Sequence, residues 1–448
     1  MKFKTQEELL RFTKGILGKK FKDIDEQNLL ATKKKDKGIL GKVVETGFYG
    51  YDLNSNPEAD FSEIGIELKV AGFKRNKDNS ISAKERLVLS KIDYCKMIEE
   101  EFEFSKLLFK NKKLLIIWYE YDYENKDNYG NFEIKHYQLY NMSADEEVFK
   151  NDFNIIKEKV LNGEAHLLSE GDTAYLGACT KGAKGTDQTK QPKSEILAKP
   201  RAYSLKNGYM TGILRSIDVS KQIPVKFKTA YSYVTEKLSP YFGLNQKEIW
   251  ERLTGIKLEV GDPIPKNLNK MISDRIVGKD KELKEIDDVF NKVTYIIKNI
   301  PVDENNYPME RLSFRNLYLS EFEDDWIDSD WAEYFEEINI ILVRYEGKKD
   351  GKKLKNGDRI LKDVVSLTFN AYDIDLFKHS YEMVQTAIKT KDISKLPYPK
   401  SYEDQVLEIA PKGKGGDDAY NNFLSKDFTK TCFMLDKDFV NYKINEKE

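Results

Sequence analysis

The sequence predicts an α/β protein with a mixed sheet, and it predicts that this fold occurs twice in the chain. Segments with apolar residues at helical spacing alternate with short apolar segments typical of strands, which is the pattern of a sheet flanked by helices. Short motifs of the first half recur in the second half in the same order, at an offset between about 225 and 231 residues. We therefore predict two tandem copies, at residues 1–218 and 228–448.

The strands and helices of the first copy follow from local patterns. Thr5 and Glu8 have the spacing of a capping box, so a helix is expected to start there. Residues 64–70 alternate between apolar and polar side chains, as a strand with one polar face does. The wholly apolar run 114–119 is typical of a buried central strand. Further helices are expected at 38–45 and 144–162, and further strands at 85–89 and 175–179.

The recurrence in the second half rests on five short matches. Each match is weak alone, but their common order at a nearly constant offset makes chance an unsatisfactory explanation. The matched pairs are 66–69 with 295–298, 85–87 with 310–312, 114–120 with 340–346, 176–182 with 407–413, and 203–205 with 433–435.

Composition limits the class of protein. The chain has 448 residues, 40% of them hydrophobic and 33% charged, and no apolar run of membrane-spanning length. The first residues are not followed by an apolar signal core, so we expect a cytoplasmic protein with no membrane partner. The three cysteines and three histidines are scattered, which disfavours a zinc site and points to oxygen ligands for any metal.

The formal net charge of −2 argues weakly against a nucleic-acid partner. Charge can be segregated, however. The segment 181–206 holds seven Lys or Arg residues and only two acids. A locally basic surface is therefore compatible with the net charge.

Asp60, Glu67 and Lys69 have the spacing D-x6-E-x-K. Glu67 and Lys69 are two residues apart on the predicted strand and therefore point to the same side. Two carboxylates suit Mg²⁺, and a lysine beside the metal can position or deprotonate a water for phosphodiester hydrolysis. The alternative is an amphipathic strand with a solvated face, because E-x-K is common in a highly charged chain.

The second copy helps to decide between these readings. It keeps a lysine, Lys298, but has Ile296 at the position of Glu67 and approximately Val289 at that of Asp60. A solvated face would be expected to change to other polar residues. The joint replacement of both acids by aliphatic residues favours one copy that kept a metal site and one that lost it.

The stretch Asp60–Lys69, which reads D-F-x-x-I-G-I-E-L-K, resembles the catalytic strand of the MutH family, whose mismatch-repair endonuclease cuts at GATC within the wider PD-(D/E)xK nuclease fold. In the MutH family, further motif residues continue this strand. Residues 299–303 in the second half of the present chain resemble that continuation, and Pro308 and Glu310 follow them. The tandem plan with one degenerate copy is similar to the two-domain type II restriction enzymes of the Sau-three-A group, which also cut GATC.

This resemblance implies roles for individual residues. Asp60 and Glu67 match the family's metal ligands, and Lys69 its motif lysine. Glu45 matches an additional acidic residue on the preceding helix. Lys110 is the preferred match for a further active-site lysine, with Lys112 and Lys113 as alternatives.

The resemblance also implies DNA contacts. Lys181 and Lys184 lie in a glycine-rich loop and are expected to contact guanine, or alternatively only phosphates. Tyr203 matches a groove-facing tyrosine, the alternative being a core tyrosine. Lys412 and Phe433 match Lys181 and Tyr203, so the second copy is expected to keep DNA binding. Cys179 stands where the family has an arginine, so methylation sensitivity is not transferred.

The resulting prediction is a Mg²⁺-dependent type II restriction endonuclease. It would hydrolyse double-stranded DNA at GATC to 5′-phosphate ends, with the second copy as a non-catalytic DNA-binding effector and self-association on DNA through two sites. Two alternatives remain: a MutH-type strand-nicking repair endonuclease and a non-catalytic DNA-binding protein.

Overall fold

The structure is a computed structural model and describes most of the chain. It forms two compact units, one built mainly from residues 3–215 and the other mainly from 230–445, with residues 167–172 grouped with the second. The joining segment 216–229 lies outside the described residues, so the bounds at 218 and 228 remain predictions. The described residues are 3–32, 38–52, 58–75, 80–122, 128–181, 187–215, 230–259, 261–278, 295–412, 416–426 and 430–445.

The first unit contains two main sheets with helices between their strands. One sheet has the order β2-β1-β4-β5, in which β1 and β4 are parallel, and the other has the order β3-β9-β6. The strands are β1 Glu67–Arg75, β2 Ile81–Ala83, β3 Leu87–Lys91, β4 Lys113–Glu120, β5 Glu133–Asn141, β6 Leu176–Thr180, β7 Thr189–Gln191, β8 Ser194–Ala198 and β9 Arg201–Leu205. The helices are α1 Gln6–Thr13, α2 Phe21–Ile24, α3 Leu29–Thr32, α4 Ile39–Val43, α5 Tyr94–Met97, α6 Lys106–Asn111, α7 Glu146–Leu161 and α8 Asn207–Arg215.

The second unit repeats this plan. Its main sheets have the orders β10-β12-β15 and β11-β17-β16, and β10 and β12 are parallel. The strands are β10 Tyr295–Val302, β11 Leu312–Asn316, β12 Asn339–Glu346, β13 Lys348–Lys349, β14 Lys352–Lys353, β15 Ile360–Leu367, β16 Leu407–Pro411 and β17 Thr431–Leu435. The described helices are α9 Ala230–Leu238, α10 Gln246–Thr254, α11 Leu268–Ile276, α12 Asp330–Glu337, α13 Ala371–Thr390, α14 Gly416–Ser425 and α15 Lys437–Asn445.

The predicted central strand is confirmed as β4. It lies between β1 and β5, and its side chains from Leu114 to Trp118 are fully buried. The predicted start of β1 at Ile64 is wrong, because Gly65 adopts a left-handed backbone with φ of 63° and the strand begins at Glu67. Thr5 caps α1 by accepting from the backbone N–H of Glu8 at 3.1 Å.

Strand registers confirm the duplication. In the first unit Glu67 pairs with Leu114 and Lys69 with Ile116. In the second unit Ile296 pairs with Ile340 and Lys298 with Leu342. These are the pairs that the sequence matches require.

Irregularities in the sheets recur as well. The pairing of β4 with β5 shifts register between Trp118 and Tyr119, and that of β12 with β15 shifts between Arg344 and Tyr345. A bulge changes strand direction and twist, so it is a structural feature rather than a defect. Its recurrence at matched positions shows that the two units share one mixed α/β fold.

Candidate active site

A tight turn folds Asp60 back onto the start of β1. Phe61 and Ile66 exchange two backbone hydrogen bonds, of 2.9 and 3.3 Å, across this turn. Asp60 Oδ2 accepts from the backbone N–H of Leu68 at 2.9 Å, and the Asp60 N–H donates to Glu67 Oε2 at 3.2 Å. The six residues between Asp60 and Glu67 form this turn and therefore bring the two acids together.

Two lysines neutralise the buried carboxylate of Glu67. The Glu67 residue is only 3% exposed. Its Oε1 accepts from Lys69 Nζ at 2.8 Å, and Lys110 Nζ lies 3.5 Å from the same oxygen. A buried carboxylate is strongly disfavoured unless it is paired, and these two cations supply the pairing.

Lys110 reaches Glu67 because of where α6 ends. Ser105 caps this helix by accepting from the Leu108 N–H at 3.2 Å, and Lys110 lies in its last turn, just before β4. Lys112 is exposed, and Lys113 already begins β4. Of the three lysines that the sequence left open, the structure brings Lys110 to Glu67.

Glu45 lies near these groups on a π-helical turn, Val44–Phe48, that follows α4. Burial, together with the charges of Asp60 and Glu67, raises the pKa of Glu45 to about 7, against the opposing effect of Lys110 and Lys69. Burial and the charge of Glu67 also raise the pKa of Asp60. Three carboxyl groups therefore share one electrostatic neighbourhood, which a bound cation would stabilise.

The donor set fits Mg²⁺. Magnesium prefers oxygen ligands and commonly takes one or two carboxylates, with waters and substrate phosphate completing its shell. Within the described ranges, no three side chains of His, Cys, Asp or Glu are gathered as a complete protein-only metal site. Asp60 and Glu67 would therefore be the principal protein ligands, with Glu45 close by.

The matching place in the second unit is chemically different. Ile296 occupies the Glu67 position, and Lys298 Nζ donates to the carbonyl of Ser313 at 2.6 Å. Val289, the match for Asp60, lies outside the described residues. The sequence matches put approximately Ile276 at the position of Glu45, with Asp274 as the alternative, and Asp274 pairs with Lys270 on α11.

A further replacement was not foreseen from the sequence. Ser329 caps α12 as Ser105 caps α6, and each serine hydroxyl also donates to the carbonyl three residues earlier, at 2.7 and 2.8 Å. Counting five residues from each cap places Tyr334 where the first unit has Lys110. The two serine caps are the sequence signal that identifies this pair.

The predicted DNA-contacting lysines lie at matched positions. The Lys181 N–H donates to the carbonyl of Pro200 at 2.7 Å, and that of Lys412 donates to the carbonyl of Lys430 at 2.6 Å. Lys181 is half-buried and Lys412 is exposed. Lys184 lies outside the described residues.

The two predicted aromatic contacts need correction. Tyr203 is 4% exposed, stacks on Phe153 at 5.9 Å and directs its hydroxyl towards Met97. Phe433 is fully buried and packs edge-on against Trp331 at 5.0 Å. This burial favours the core-tyrosine alternative and leaves neither ring accessible to a DNA groove in this structure. We therefore omit both from the proposed DNA surface.

Comparison with known proteins agrees with this geometry. The family model for the DNA mismatch repair enzyme MutH matches residues 49–152, a span that contains Asp60, Glu67, Lys69 and Lys110. The type II restriction enzyme Sau3AI of Staphylococcus aureus is 33% identical over 347 residues, which cover 72% of this chain and 69% of that enzyme. No helix in the described part of the chain has the length and apolar character needed to cross a membrane. The chain belongs to the MutH-like family of type II restriction endonucleases, of the Sau3AI type.

Proposed function

We propose that this restriction endonuclease recognises GATC in double-stranded DNA and requires Mg²⁺ to hydrolyse the phosphodiester bond, leaving 5′-phosphate ends. The observation that carries the catalytic part is Glu67, buried beside Asp60 and paired with Lys69 and Lys110. The GATC preference rests on the likeness of residues 60–69 to the MutH family.

The residues divide the chemistry between them. Asp60 and Glu67 would hold the metal, which when bound would supply positive charge to polarise the scissile phosphate and stabilise the leaving 3′-oxygen. Lys69 projects from β1 beside Glu67 and positions the attacking water. Lys110 approaches the same carboxylate from α6 and supplies a second positive charge for the phosphate.

The second unit would act as a DNA-binding effector without cutting. Three features support this role: Ile296 replaces a ligand acid, Tyr334 replaces Lys110, and Lys412 remains exposed. One chain then has one active site and cuts one strand at a time. A double-strand break requires two chains associated on DNA or two successive nicks.

Digestion of plasmid DNA tests the proposal. Purified full-length chain with Mg²⁺ should convert unmethylated plasmid to linear fragments whose sequenced ends lie at GATC, and EDTA or Lys69→Ala should abolish this. A parallel digest of adenine-methylated plasmid reports methylation sensitivity. Persistent nicked circles without linear DNA would instead indicate a MutH-type nicking enzyme. Intact plasmid under all conditions would indicate a non-catalytic DNA-binding protein.

A further inference from the structure

A short lysine-rich hairpin follows the central strand of the second unit. It consists of β13 Lys348–Lys349 and β14 Lys352–Lys353, which pair antiparallel. The two residues at its tip, Asp350 and Gly351, have φ values of 49° and 73°. A two-residue turn of type I′ requires positive φ at both of its central residues, and Asp-Gly is a preferred sequence for it. The local sequence therefore favours this hairpin.

Hydrogen bonds hold the hairpin against the end of β10. The Gly347 N–H donates to the carbonyl of Val302 at 2.8 Å, just before the hairpin begins. At the tip, Glu304 Oε1 accepts from the Gly351 N–H at 2.8 Å, and Glu304 Oε2 lies 3.8 Å from Lys348 Nζ. The hairpin is thus fixed both at its base and at its tip, so its lysines are presented at a defined place on the surface.

The strand register sets lysine against lysine across the hairpin. Lys348 is opposite Lys353, and Lys349 is opposite Lys352. Successive residues of a strand face opposite sides, so each face of the hairpin carries one of these pairs. Lys349, Lys352 and Lys353 are exposed, and Lys348 is half-buried. Like charges directly opposite each other are destabilising, so the hairpin carries a repulsion that a bound polyanion would relieve.

The corresponding segment of the first unit is acidic rather than basic. Both segments join the central strand to its antiparallel neighbour, β12 to β15 in the second unit and β4 to β5 in the first. Residues 347–359 contain five lysines and one arginine with two aspartates, whereas residues 121–132 contain one lysine with three acids. Residues 123–127 lie outside the described part of the chain, so this comparison concerns sequence alone. The basic segment belongs to the unit that has Ile296 in place of a ligand acid.

We propose that the hairpin Lys348–Lys353 is a DNA-contacting element of the second unit and binds backbone phosphates of a duplex through Lys349, Lys352 and Lys353. This inference rests on the proposed DNA-binding role of the second unit and names an element that supplies its electrostatic contacts. Duplex DNA carries about one negative charge per 1.7 Å of helix axis, so neighbouring lysines can each meet a phosphate. Such contacts add affinity and read no base sequence.

Salt-dependent DNA binding by the full-length chain tests this role. A Lys69→Ala background prevents cleavage, and a labelled GATC duplex is titrated through its first and second equivalents by fluorescence anisotropy. When Lys349, Lys352 and Lys353 are all replaced by glutamine, affinity for the second equivalent should fall about tenfold or more. The slope of log affinity against log salt should become shallower by about two to three, because up to three phosphate contacts are lost. Binding of a duplex without GATC should weaken by a similar factor.

Two matched variants separate charge at the hairpin from general effects. Replacing the same three lysines by arginine keeps the charge and should retain the parental affinity and salt slope. Replacing Lys378, Lys389 and Lys395 by glutamine removes three exposed lysines on α13 and just after it, and should change affinity by less than about threefold. Thermal melts establish that each variant is folded. The glutamine variant of the hairpin should melt no lower than the parent, because it relieves repulsion between lysines.

Two results would overturn the inference, and they differ in what they imply for the effector role. If the folded glutamine variant of the hairpin binds the second duplex with parental affinity and salt slope, the hairpin is not a DNA contact. Its lysines then serve only to keep exposed strand edges from pairing with other chains, and the effector role stands. If the parent binds only one duplex, the effector role fails and the inference fails with it.

Discussion

At the scale of single residues, the active site depends on the charge balance around Glu67. The carboxylate of Glu67 has two ammonium groups within 3.5 Å, whereas burial and the charges of neighbouring acids raise the pKa values of Glu45 and Asp60. The two lysines thus offset part of the negative charge that the three carboxyl groups bring together. A cluster of carboxyl groups with raised pKa values is typical of functional sites.

Lys110 should contribute more to the cleavage rate than the nearby Lys112. Replacing it with alanine removes the ammonium group that lies 3.5 Å from Glu67 Oε1. In the proposed mechanism, this substitution also removes the second positive charge for the scissile phosphate. We expect the single-turnover cleavage rate to fall on the order of 10²-fold or more. Lys112→Ala, at an exposed position two residues away, is the control and should cut within about threefold of the parent rate. Equal effects of the two substitutions would contradict the assignment.

Glu45 should make the metal-free protein less stable at high pH. Its pKa rises from the ordinary value to about 7 on folding, so the folded state binds the extra proton and stability is lost as pH rises through this interval. In EDTA at pH 8, Glu45→Gln should be more stable than the parent by about 1–2 kcal/mol, a figure reduced for solvent screening. At pH 5 the difference should largely disappear. Urea melts at both values measure it, and a pH-independent difference would refute the explanation.

At the scale of secondary-structure elements, the two units share their helix packing as well as their strands. The buried residues Phe149, Phe153 and Ile156 on α7 have the same spacing as Phe377, Tyr381 and Val384 on α13. Between these positions lie Asp152 and Ser380. Each residue anchors its helix to the strand that follows it in the chain. Asp152 accepts hydrogen bonds from that strand, whereas Ser380 donates one.

Asp152 is the main polar tie between α7 and β6. Its fully buried carboxylate accepts from the backbone N–H groups of Ala174, Tyr175 and Leu176 at 2.7–2.9 Å. Asp152→Ala leaves these donors without their acceptor and should destabilise the first unit by about 3 kcal/mol. The control Asn151→Ala, at an exposed position on the same helix, should have little effect. Denaturant unfolding followed by circular dichroism measures both, and a loss below about 1 kcal/mol would contradict the role.

The sequence predicted the elements whose signals are local and periodic. The apolar run of β4 and the collinear matches between halves led to the correct central strand and the correct ladder registers. It did not predict the start of β1, which depends on the left-handed backbone of Gly65. It left Tyr203 open between a DNA groove and the core and placed Phe433 at a DNA contact, because burial depends on packing by distant residues such as Phe153 and Trp331.

At the scale of the whole molecule, duplication has produced two sites of one fold with different chemistry. The first keeps acids and lysines together, and the second keeps a lysine but has an isoleucine and a tyrosine at two matched positions. In the proposed function, such a chain would respond to a second DNA site without a second cutting centre. The cleavage rate should therefore depend on the number of GATC sites on the DNA.

Cleavage should respond to the number of GATC sites on one DNA molecule. A plasmid with two sites presents the second at a high effective concentration, so effector binding becomes intramolecular. We expect full-length enzyme to cut it at least several-fold faster than an otherwise identical plasmid with one site, and added GATC oligonucleotide should accelerate the single-site reaction. Equal rates on both plasmids, with no response to the oligonucleotide, would argue against an effector unit.

The proposed mechanism has a single catalytic centre, in the first unit. The most direct measurement follows nicked and linear products from a GATC plasmid with Mg²⁺ for Glu67→Gln, beside Glu63→Gln as a control at an exposed position of the same segment. We predict that Glu67→Gln produces neither nicked nor linear DNA above background, while Glu63→Gln cuts like the parent enzyme. Continued nicking by folded Glu67→Gln would show that a second cutting centre exists and would contradict the account.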